Sequence, residues 1–290
     1  MTNMTTNKEN ILVSIEEMNA QDYPLIFTRY LYSKEDVIHS LFMALLDKNC
    51  DEALFWAYEL YYSGFQEETL EQLLKFYNEI YEKCNSVIFK TFIMKHYHSW
   101  YETKNDCIVG TIAWNLCYSN YDIYNFIEFY FTQSLKENET MKPKVKKIAK
   151  LRLIMNDNDI EIYKTIRHLQ GLGWKVLPQV CKYKIHREVS SLFKTSYVDF
   201  IKEYQYHWLY YASFSPIWKD RLTKYNYKIC NETKTVVMND DDEDDFYSLY
   251  SYTPDEQSLE MQNQILGNDV AHFTIDDFCN KYGLSTQLNM

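Results

Sequence analysis

Glycine and proline are scarce in this chain, with six glycines and five prolines among 290 residues. Turn-rich β architectures need both residue types, whereas long helices joined by short connections need few of either. No apolar run approaches the roughly 18 residues that span a bilayer, and the polar first ten residues do not resemble a signal peptide. We therefore expect an all-α protein without a membrane segment.

The seven cysteines are scattered along the chain and contain no C-x-x-C pair. An odd number without a secretory segment or a pairing pattern is typical of reduced thiols in an intracellular protein. The predicted compartment is therefore the cytosol or the nucleus.

Common enzyme motifs are also missing. There is no Walker A loop and no G-x-S-x-G, and Gly171 and Gly173 lack the third glycine of a dinucleotide loop. His96 and His98 would point in different directions on a helix, without a nearby ligand to complete a metal site. The acidic run 239–245 lacks the glycine and the terminal glutamate of an EF-hand, and is interpreted as a solvated loop. We predict a non-enzymatic protein without catalytic, cofactor-binding or metal-binding residues.

Helical periodicity is clearest in residues 51–84. Apolar residues recur at three- and four-residue steps on both sides of Gly64, which predicts two antiparallel helices joined by a tight turn. Similar segments follow one another from 33 to 137, and Ser33 and Ser86 are interpreted as helix N-caps. This succession favours a helical-repeat solenoid of the HEAT kind, or an irregular helical bundle, because no repeat consensus is present.

The remaining organisation is read from breaks in this pattern. A strand-like pattern at 225–238 predicts a small β-hairpin, and 142–155 predicts a basic helix. Residues 253–257 predict a helix start and Gly267 the end of that helix, and Ser215 with Pro216 predicts a further helix start. The predicted divisions are an N-terminal extension (1–32), a helical scaffold domain (33–266) and a short C-terminal helix with its tail (267–290). The scaffold contains helical hairpins (33–137), a basic segment (142–187) and an aromatic part with the acidic loop (188–266).

The basic segment 142–187 has twelve basic and three acidic residues, a net charge of +9, while the whole chain carries −11. Such a density of cations attracts polyanions, and Tyr163, Trp174 and Tyr183 could stack on unpaired bases. RNA is the preferred polyanion because no DNA-reading motif is present. A solvated basic face that pairs with the acidic remainder is the alternative. The residues predicted to contact RNA are Lys144, Lys146, Lys147, Lys150 and Arg152.

A tyrosine–leucine motif lies at 204–210, with the sequence YQYHWLY. A helix can present Tyr204, Leu209 and Tyr210 to one groove, as many proteins do when they dock on the cap-binding translation factor. The motif ends in tyrosine where leucine, methionine or phenylalanine is usual. Core packing is the alternative explanation for the same residues.

Three stretches carry a resemblance to a known group of proteins, namely FWAYELYYSGF at 55–65, YASFSPIW at 211–218 and YTPDEQ at 252–257. Over most of 35–266 the chain resembles a conserved group from giant nucleocytoplasmic large DNA viruses of the mimivirus kind. This resemblance implies an AT-rich viral genome and a setting in the host cytoplasm, at the viral factory. It implies no activity and no catalytic residue.

Taken together, these features predict a non-enzymatic helical adaptor. The helical body, the basic segment and the tyrosine–leucine motif are similar to the scaffold subunit of the cap-binding translation initiation complex. That similarity implies a cap-binding protein, a DEAD-box helicase and RNA as partners, with no cofactor. A structural or assembly protein of the virion or viral factory is the alternative, and an enzyme whose site assembles only in the fold is a second one.

Overall fold

The computed structural model describes residues 25–124, 126–127, 152–164, 172–193, 200–267 and 273–283. These residues form helices and one two-stranded antiparallel hairpin, which confirms the all-α class with a minor β element. The helices are α1 (Lys34–Leu46), α2 (Cys50–Tyr62), α3 (Gln66–Phe76), α4 (Val87–Thr103), α5 (Cys107–Cys117), α6 (Asp157–Ile160), α7 (Val176–Val180), α8 (Phe200–Ala212), α9 (Pro216–Leu222), α10 (Asp240–Tyr250), α11 (Leu259–Leu266) and α12 (Ile275–Phe278). The strands are β1 (Tyr227–Cys230) and β2 (Thr235–Met238).

Several predicted helix ends are confirmed. The Ser86 side chain accepts a hydrogen bond from the Phe89 N–H at the start of α4, as an N-cap does. Helix α1 begins after Ser33, although the serine side chain makes no capping hydrogen bond. Gly64 ends the α2 side of the predicted hairpin with a φ of +98°, which glycine adopts without the strain that a Cβ would add.

Helix α2 is the centre of the fold. Every residue from 53 to 61 is buried, so the helix is covered on all sides rather than on one face. It packs against α1, α3 and α5. Trp56 and Tyr58 are among the largest fully buried side chains, so the segment with the clearest periodicity also forms much of the core.

An ion pair is buried beside this helix. Arg29 Nε donates to Glu59 Oε2 at 2.8 Å, and the Tyr30 N–H donates to Glu59 Oε1 at 3.1 Å. Arg29 Nη2 donates to the Tyr163 carbonyl at 2.9 Å. Both charged side chains are almost completely buried. The pair therefore ties the segment before α1, helix α2 and the turn at 161–163 to one point.

The later elements fold back onto the first ones. Trp218 Nε1 donates to the Thr28 carbonyl at 3.0 Å, and the Tyr282 hydroxyl donates to Asp47 Oδ1 at 2.8 Å. In a solenoid each repeat contacts only its neighbours along the chain. Contacts across nearly the whole chain length therefore favour the irregular bundle of the two architectures that the sequence left open.

The β-hairpin lies where the strand-like pattern predicts it. Tyr227 pairs with Met238 and Cys230 pairs with Thr235, in antiparallel register. Lys234 in the connecting turn has a φ of +54°. Met238 is buried and Val237 is exposed, so β2 has one face on the core and one in solvent.

The predicted acidic loop is wrong, because residues 240–245 form the first turns of α10. The Asn239 side chain accepts the Asp242 N–H at 2.9 Å and so caps the helix. Carboxylates in the first turn interact favourably with the positive end of the helix dipole. Acidic residues repel one another in an unstructured segment. When they directly follow an N-cap residue, they instead stabilise the first turn of a helix.

Two other predicted helices differ from the structure. The helix expected to start at 253–257 begins at Leu259 instead, with Ser258 as its N-cap. Gln257 donates to the Tyr252 carbonyl at 2.7 Å and to the Trp174 carbonyl at 2.8 Å, which stabilises a turn in place of a first helical turn. Most of the basic helix expected at 142–155 lies outside the described residues, and its described part, 152–155, is not helical and leads into the N-cap Asn156 of α6.

Candidate functional site

Most of the residues predicted to contact RNA lie outside the described residues. Lys144, Lys146, Lys147 and Lys150 belong to this group, and for them RNA binding stays a prediction. Arg152 is described. Its Nη1 donates to the Ile88 carbonyl at 3.0 Å, and its guanidinium lies 5.0 Å from the Phe92 ring centroid. These contacts hold the beginning of the segment 152–156 against the start of α4, so Arg152 has a structural role besides its charge.

The interleaved aromatic residues of the basic segment differ in exposure. Tyr163 stacks on Tyr58 with ring centroids 4.9 Å apart, and Tyr183 packs against Phe55 at 5.3 Å. Both are half-buried and have aromatic neighbours within the protein. Trp174 is 50% exposed. Of the three residues expected to stack on bases, Trp174 offers the most accessible ring.

Trp174 lies on a rigid support. Its carbonyl accepts the hydrogen bond from Gln257, a side chain that is itself buried. A Cβ on the neighbouring Gly173 would lie 2.8 Å from the backbone nitrogen of Ser251, so only glycine allows this approach of the two backbones. Val176 and Leu177 are buried directly after the tryptophan and anchor the turn from the other side. The backbone of Trp174 is therefore held in place, while its indole side chain is exposed.

Cations accompany this ring. The Lys175 ammonium lies 4.9 Å from the Trp174 ring centroid, within the range of a cation–π contact. Lys182 and Lys184 are exposed on a stretch without regular secondary structure in which Cys181 and Ile185 are buried, so the two lysines lie on the solvent side. We call Trp174, Lys175, Lys182 and Lys184 the tryptophan–lysine surface. It combines a stacking ring with three positive charges on the described part of the basic segment.

Lys164 of the basic segment pairs with acidic residues of the same segment, whereas the alternative interpretation names the acidic remainder of the chain. Lys164 Nζ lies 3.3 Å from Glu161 Oε2 and 3.9 Å from Asp157 Oδ1. All three side chains are accessible, so these pairs add little stability. The basic charge of 152–164 is thus partly balanced within the segment, and the lysines of the tryptophan–lysine surface are exposed.

The tyrosine–leucine motif does not form a docking surface in this structure. Tyr204 is completely buried and Leu209 nearly so. The Tyr204 ring packs edge-on against Phe27 with centroids 6.0 Å apart, and burial raises the pKa of its hydroxyl. Tyr210 is half-buried and donates to Asn231 Oδ1 at 3.2 Å. The segment around Phe27 covers this side of α8. Tyr204 and Leu209 are therefore core residues, as the alternative explanation of the motif predicts.

The fold brings together one group of side chains that could hold a metal ion and that the sequence does not predict. A ligand atom from each of Asp106, Cys107 and Asp157 lies within 4.8 Å of the others. Lys164 approaches Asp157, and the Tyr62 hydroxyl donates to Asp106 at 2.6 Å. Burial and the two carboxylates raise the pKa of Cys107 to about 11, so a cation would have to displace its proton. Asp157 lies 50 residues after Cys107, and no sequence spacing predicts that these side chains come together.

His186 has partners that its sequence neighbours do not suggest in full. Its Nε2 lies 2.9 Å from Glu52 of α2, and its Nδ1 lies 3.0 Å from Glu188. Burial by itself lowers the pKa of the imidazole, but the hydrogen bonds to Glu188 and Glu52 outweigh it and raise the pKa to about 9. The histidine is therefore a cation at neutral pH and joins the basic segment to α2.

Within the described ranges, no helix has both the length and the apolar character required to cross a bilayer. No protein-family model, curated protein or solved structure significantly matches this chain.

Proposed function

We propose that this protein is a non-enzymatic helical adaptor that binds single-stranded RNA through its basic segment, with the tryptophan–lysine surface as one contact. The observation that carries the proposal is the half-exposed Trp174 ring on a rigid backbone, with Lys175 beside it. Stacking on an exposed aromatic ring is tolerant of base identity, and neighbouring lysines neutralise phosphates. The expected binding is therefore salt-dependent and weakly sequence-specific.

The geometry supports such a role because the backbone that carries the exposed Trp174 ring is anchored on both sides. Gln257 and Gly173 fix the backbone on one side, and the buried Val176 and Leu177 fix it on the other. A preorganised ring loses little conformational entropy on binding. Lys182 and Lys184 follow on the same segment and are also exposed.

The test is fluorescence anisotropy of a labelled single-stranded RNA with the full chain at several salt concentrations. Removing the ring in Trp174→Ala is expected to weaken binding by about 5- to 100-fold, the range that stacking of one base supports. Tyr206→Ala is the matched control, since Tyr206 is an exposed aromatic residue of α8 outside the basic segment. Lys182→Ala is expected to reduce the salt dependence by roughly one phosphate contact. Equal affinity of Trp174→Ala and the wild type would remove the tryptophan–lysine surface from the proposal.

The more specific role, a translation-initiation scaffold that bridges a cap-binding protein, a DEAD-box helicase and RNA in the cytoplasm of a virus-infected cell, stays a prediction. Its cap-binding contact would require α8 to release Tyr204 and Leu209 from the core. Affinity purification of the tagged chain with and without RNase, followed by mass spectrometry, addresses both roles. Recovery of a cap-binding protein and a helicase would support the scaffold. Recovery of capsid or core proteins would instead favour the structural or assembly role.

A further inference from the structure

Helices α2 and α5 pack against each other in antiparallel orientation, and two tyrosines of α2 define their register. The Tyr58 hydroxyl accepts the Gly110 N–H at 3.1 Å and donates to the Asp106 carbonyl at 3.1 Å. One turn further along α2, the Tyr62 hydroxyl donates to the Asp106 carboxylate at 2.6 Å. This register brings the first residue of α2 opposite the last residue of α5. Both of these end residues are cysteines, Cys50 and Cys117.

The two thiols are neighbours at these facing helix ends. The side chains of Cys50 and Cys117 are close enough to affect each other electrostatically, and the Tyr118 hydroxyl is a further neighbour of Cys50. Each cysteine lies at a helix end next to a short connection, where a side chain and its backbone can adjust more easily than in the middle of a helix. A disulfide requires closely spaced Cα atoms and specific Cβ directions, and two facing helix ends offer that freedom.

We propose that Cys50 and Cys117 form a peroxide-sensitive dithiol that is converted reversibly into an intramolecular disulfide linking α2 to α5. Cys50 is the attacking thiol because it is half-exposed, and Cys117 is the resolving thiol because it is 1% exposed. The assignment goes beyond the proposed RNA-binding role, since it concerns a different part of the fold.

The electrostatic surroundings assign the same roles. Cys50 is at the N-terminus of a 13-residue helix, where the helix dipole favours a thiolate. The neighbouring Cys117 thiol lowers the pKa of Cys50, although burial and Asp51 act against this. The Cys50 thiol and burial raise the pKa of Cys117, with Lys48 opposing them. The thiolate, which is the nucleophilic form, is therefore favoured at the more accessible sulfur.

The chemistry is balanced with a hydroperoxide as the oxidant. The Cys50 thiolate attacks one peroxide oxygen, the O–O bond breaks, and water leaves after protonation, which yields a sulfenic acid at Cys50. The Cys117 sulfur then attacks the Cys50 sulfur, the S–O bond breaks, and a second water carries away the oxygen and the thiol proton. Two thiols have lost two electrons and two protons to one peroxide. A dithiol reductant reverses the change by thiol–disulfide exchange.

The test uses the full-length reduced protein, one equivalent of hydrogen peroxide, and alkylation of the remaining thiols after unfolding. The expected product is monomeric, has lost two of its seven thiols, and regains them with dithiothreitol. Peptide mapping should link tryptic peptide 49–75 to peptide 105–136. The second peptide contains both Cys107 and Cys117, so fragmentation must show that Cys117 carries the link.

Variants separate the proposed pair from general thiol oxidation. Cys50→Ser and Cys117→Ser are each expected to abolish the linked peptide, and Cys117→Ser should leave a sulfenic acid at Cys50 that dimedone traps. Cys84→Ser is the matched control, because Cys84 is also half-buried and burial raises the pKa of its thiol to about 11. The link should persist in this variant. Wild-type protein whose Cys50 and Cys117 both remain alkylatable after peroxide treatment, or whose Cys50 links to another cysteine, would overturn the proposal.

Discussion

The first five helices and the segments from 172 onward differ in how their conformation is determined. Helices α1 to α5 have 11 to 17 residues, and their buried positions follow the helical period or cover the whole circumference. In the later elements, which we call the C-terminal layer (172–193, 200–267 and 273–283), only α8 and α10 reach such lengths, and α7, α9, α11 and α12 have four to eight residues. Many of them are fixed by hydrogen bonds from a side chain to a distant backbone group, such as Trp218 to the Thr28 carbonyl.

This difference shows which helices can be predicted from residues that are neighbours in the sequence. A helix of several turns with an apolar face is stabilised by its own packing wherever it meets the core. A helix of four to eight residues is marginal alone and depends on contacts that only the assembled fold supplies. The helical bundle should therefore respond to changes at its centre, and the C-terminal layer to changes at its anchor points.

The largest effect is expected at the centre of the bundle, from Glu59→Gln. This change leaves the buried Arg29 without its carboxylate partner, and breaking a buried pair in this way costs about 3–5 kcal/mol. Chemical unfolding of the variant should show the loss in the free energy of unfolding. Glu161→Gln is the control, since its pair with Lys164 is accessible and should contribute less than about 1 kcal/mol. Similar losses for the two variants would contradict a central role for the Arg29 pair.

A second, smaller effect is expected at the junction between the bundle and the C-terminal layer, from Gly64→Ala. The φ of +98° is unfavourable for alanine, and the new Cβ would lie 2.4 Å from the Pro216 Cβ at the start of α9. We expect a loss of about 1–3 kcal/mol, the usual cost of such a strained backbone position.

Thermal unfolding of Gly64→Ala measures that loss, and Gly283→Ala is its control. A Cβ on Gly283 would meet no atom closer than 3.8 Å, at the end of the Ile127 side chain. A variant Gly64→Ala as stable as the wild type would show that α9 can move away without cost, and that the junction is looser than the contacts indicate.

The His186 contact should make the same junction sensitive to pH. Its pKa in the folded protein, about 9, lies above the ordinary value of 6.5, so the folded state binds the proton more tightly than the unfolded state. The stabilisation is complete below pH 6.5 and is lost as the pH rises to 9. Its size should be on the order of 1–2 kcal/mol, because the pair is partly accessible to solvent.

Unfolding curves between pH 6 and 10 for the wild type and His186→Gln test this expectation. The difference between the two proteins should shrink as the pH rises. His39 in α1 provides a contrast within the bundle, since burial lowers its pKa to about 4. Its effect has the opposite sign, because stability falls as the pH drops from 6.5 towards 4. A difference between wild type and His186→Gln that does not change with pH would show that folding does not raise the pKa of His186.

The smallest effect is expected within the C-terminal layer, from Asn239→Ala. This change removes the cap that accepts the Asp242 N–H, and the loss of an N-cap costs about 1 kcal/mol. The far-ultraviolet circular dichroism should decrease only slightly, and the unfolding midpoint should fall. Asn239→Asp is the control, because aspartate caps helices equally well. If the two variants unfold alike, the acidic residues of α10 repel one another more than the cap stabilises them.

Sequence patterns predicted the regular elements more completely than the candidate site. The α2–α3 hairpin, the starts of α4 and α9 and the β-hairpin follow from periodicity and caps, which are properties of neighbouring residues. Charge density alone predicts a loop at 240–245, whereas the helix α10 depends on the cap at Asn239. The late start of α11 depends on Gln257 reaching the Trp174 carbonyl, a contact between residues 83 positions apart.

The site residues show the same limit. Trp174 and Arg152 were singled out for their chemistry, but only the fold distinguishes an accessible ring from a guanidinium held against α4. Tyr204 and Leu209 match a docking motif in sequence and are nevertheless buried. Cys50 and Cys117 are neighbours on two different helices, and no spacing in the chain predicts this.

The sequence by itself determined the helical class, the main helix boundaries in 34–117 and the uneven distribution of charge, because each depends on composition or on residues within a few turns of one another. Only the tertiary structure decided between a solenoid and a bundle, which tyrosines are buried, and which cysteines meet. These outcomes depend on how segments that are distant in the chain pack into one core. Because the core is closely packed, the position of each segment depends on all the others.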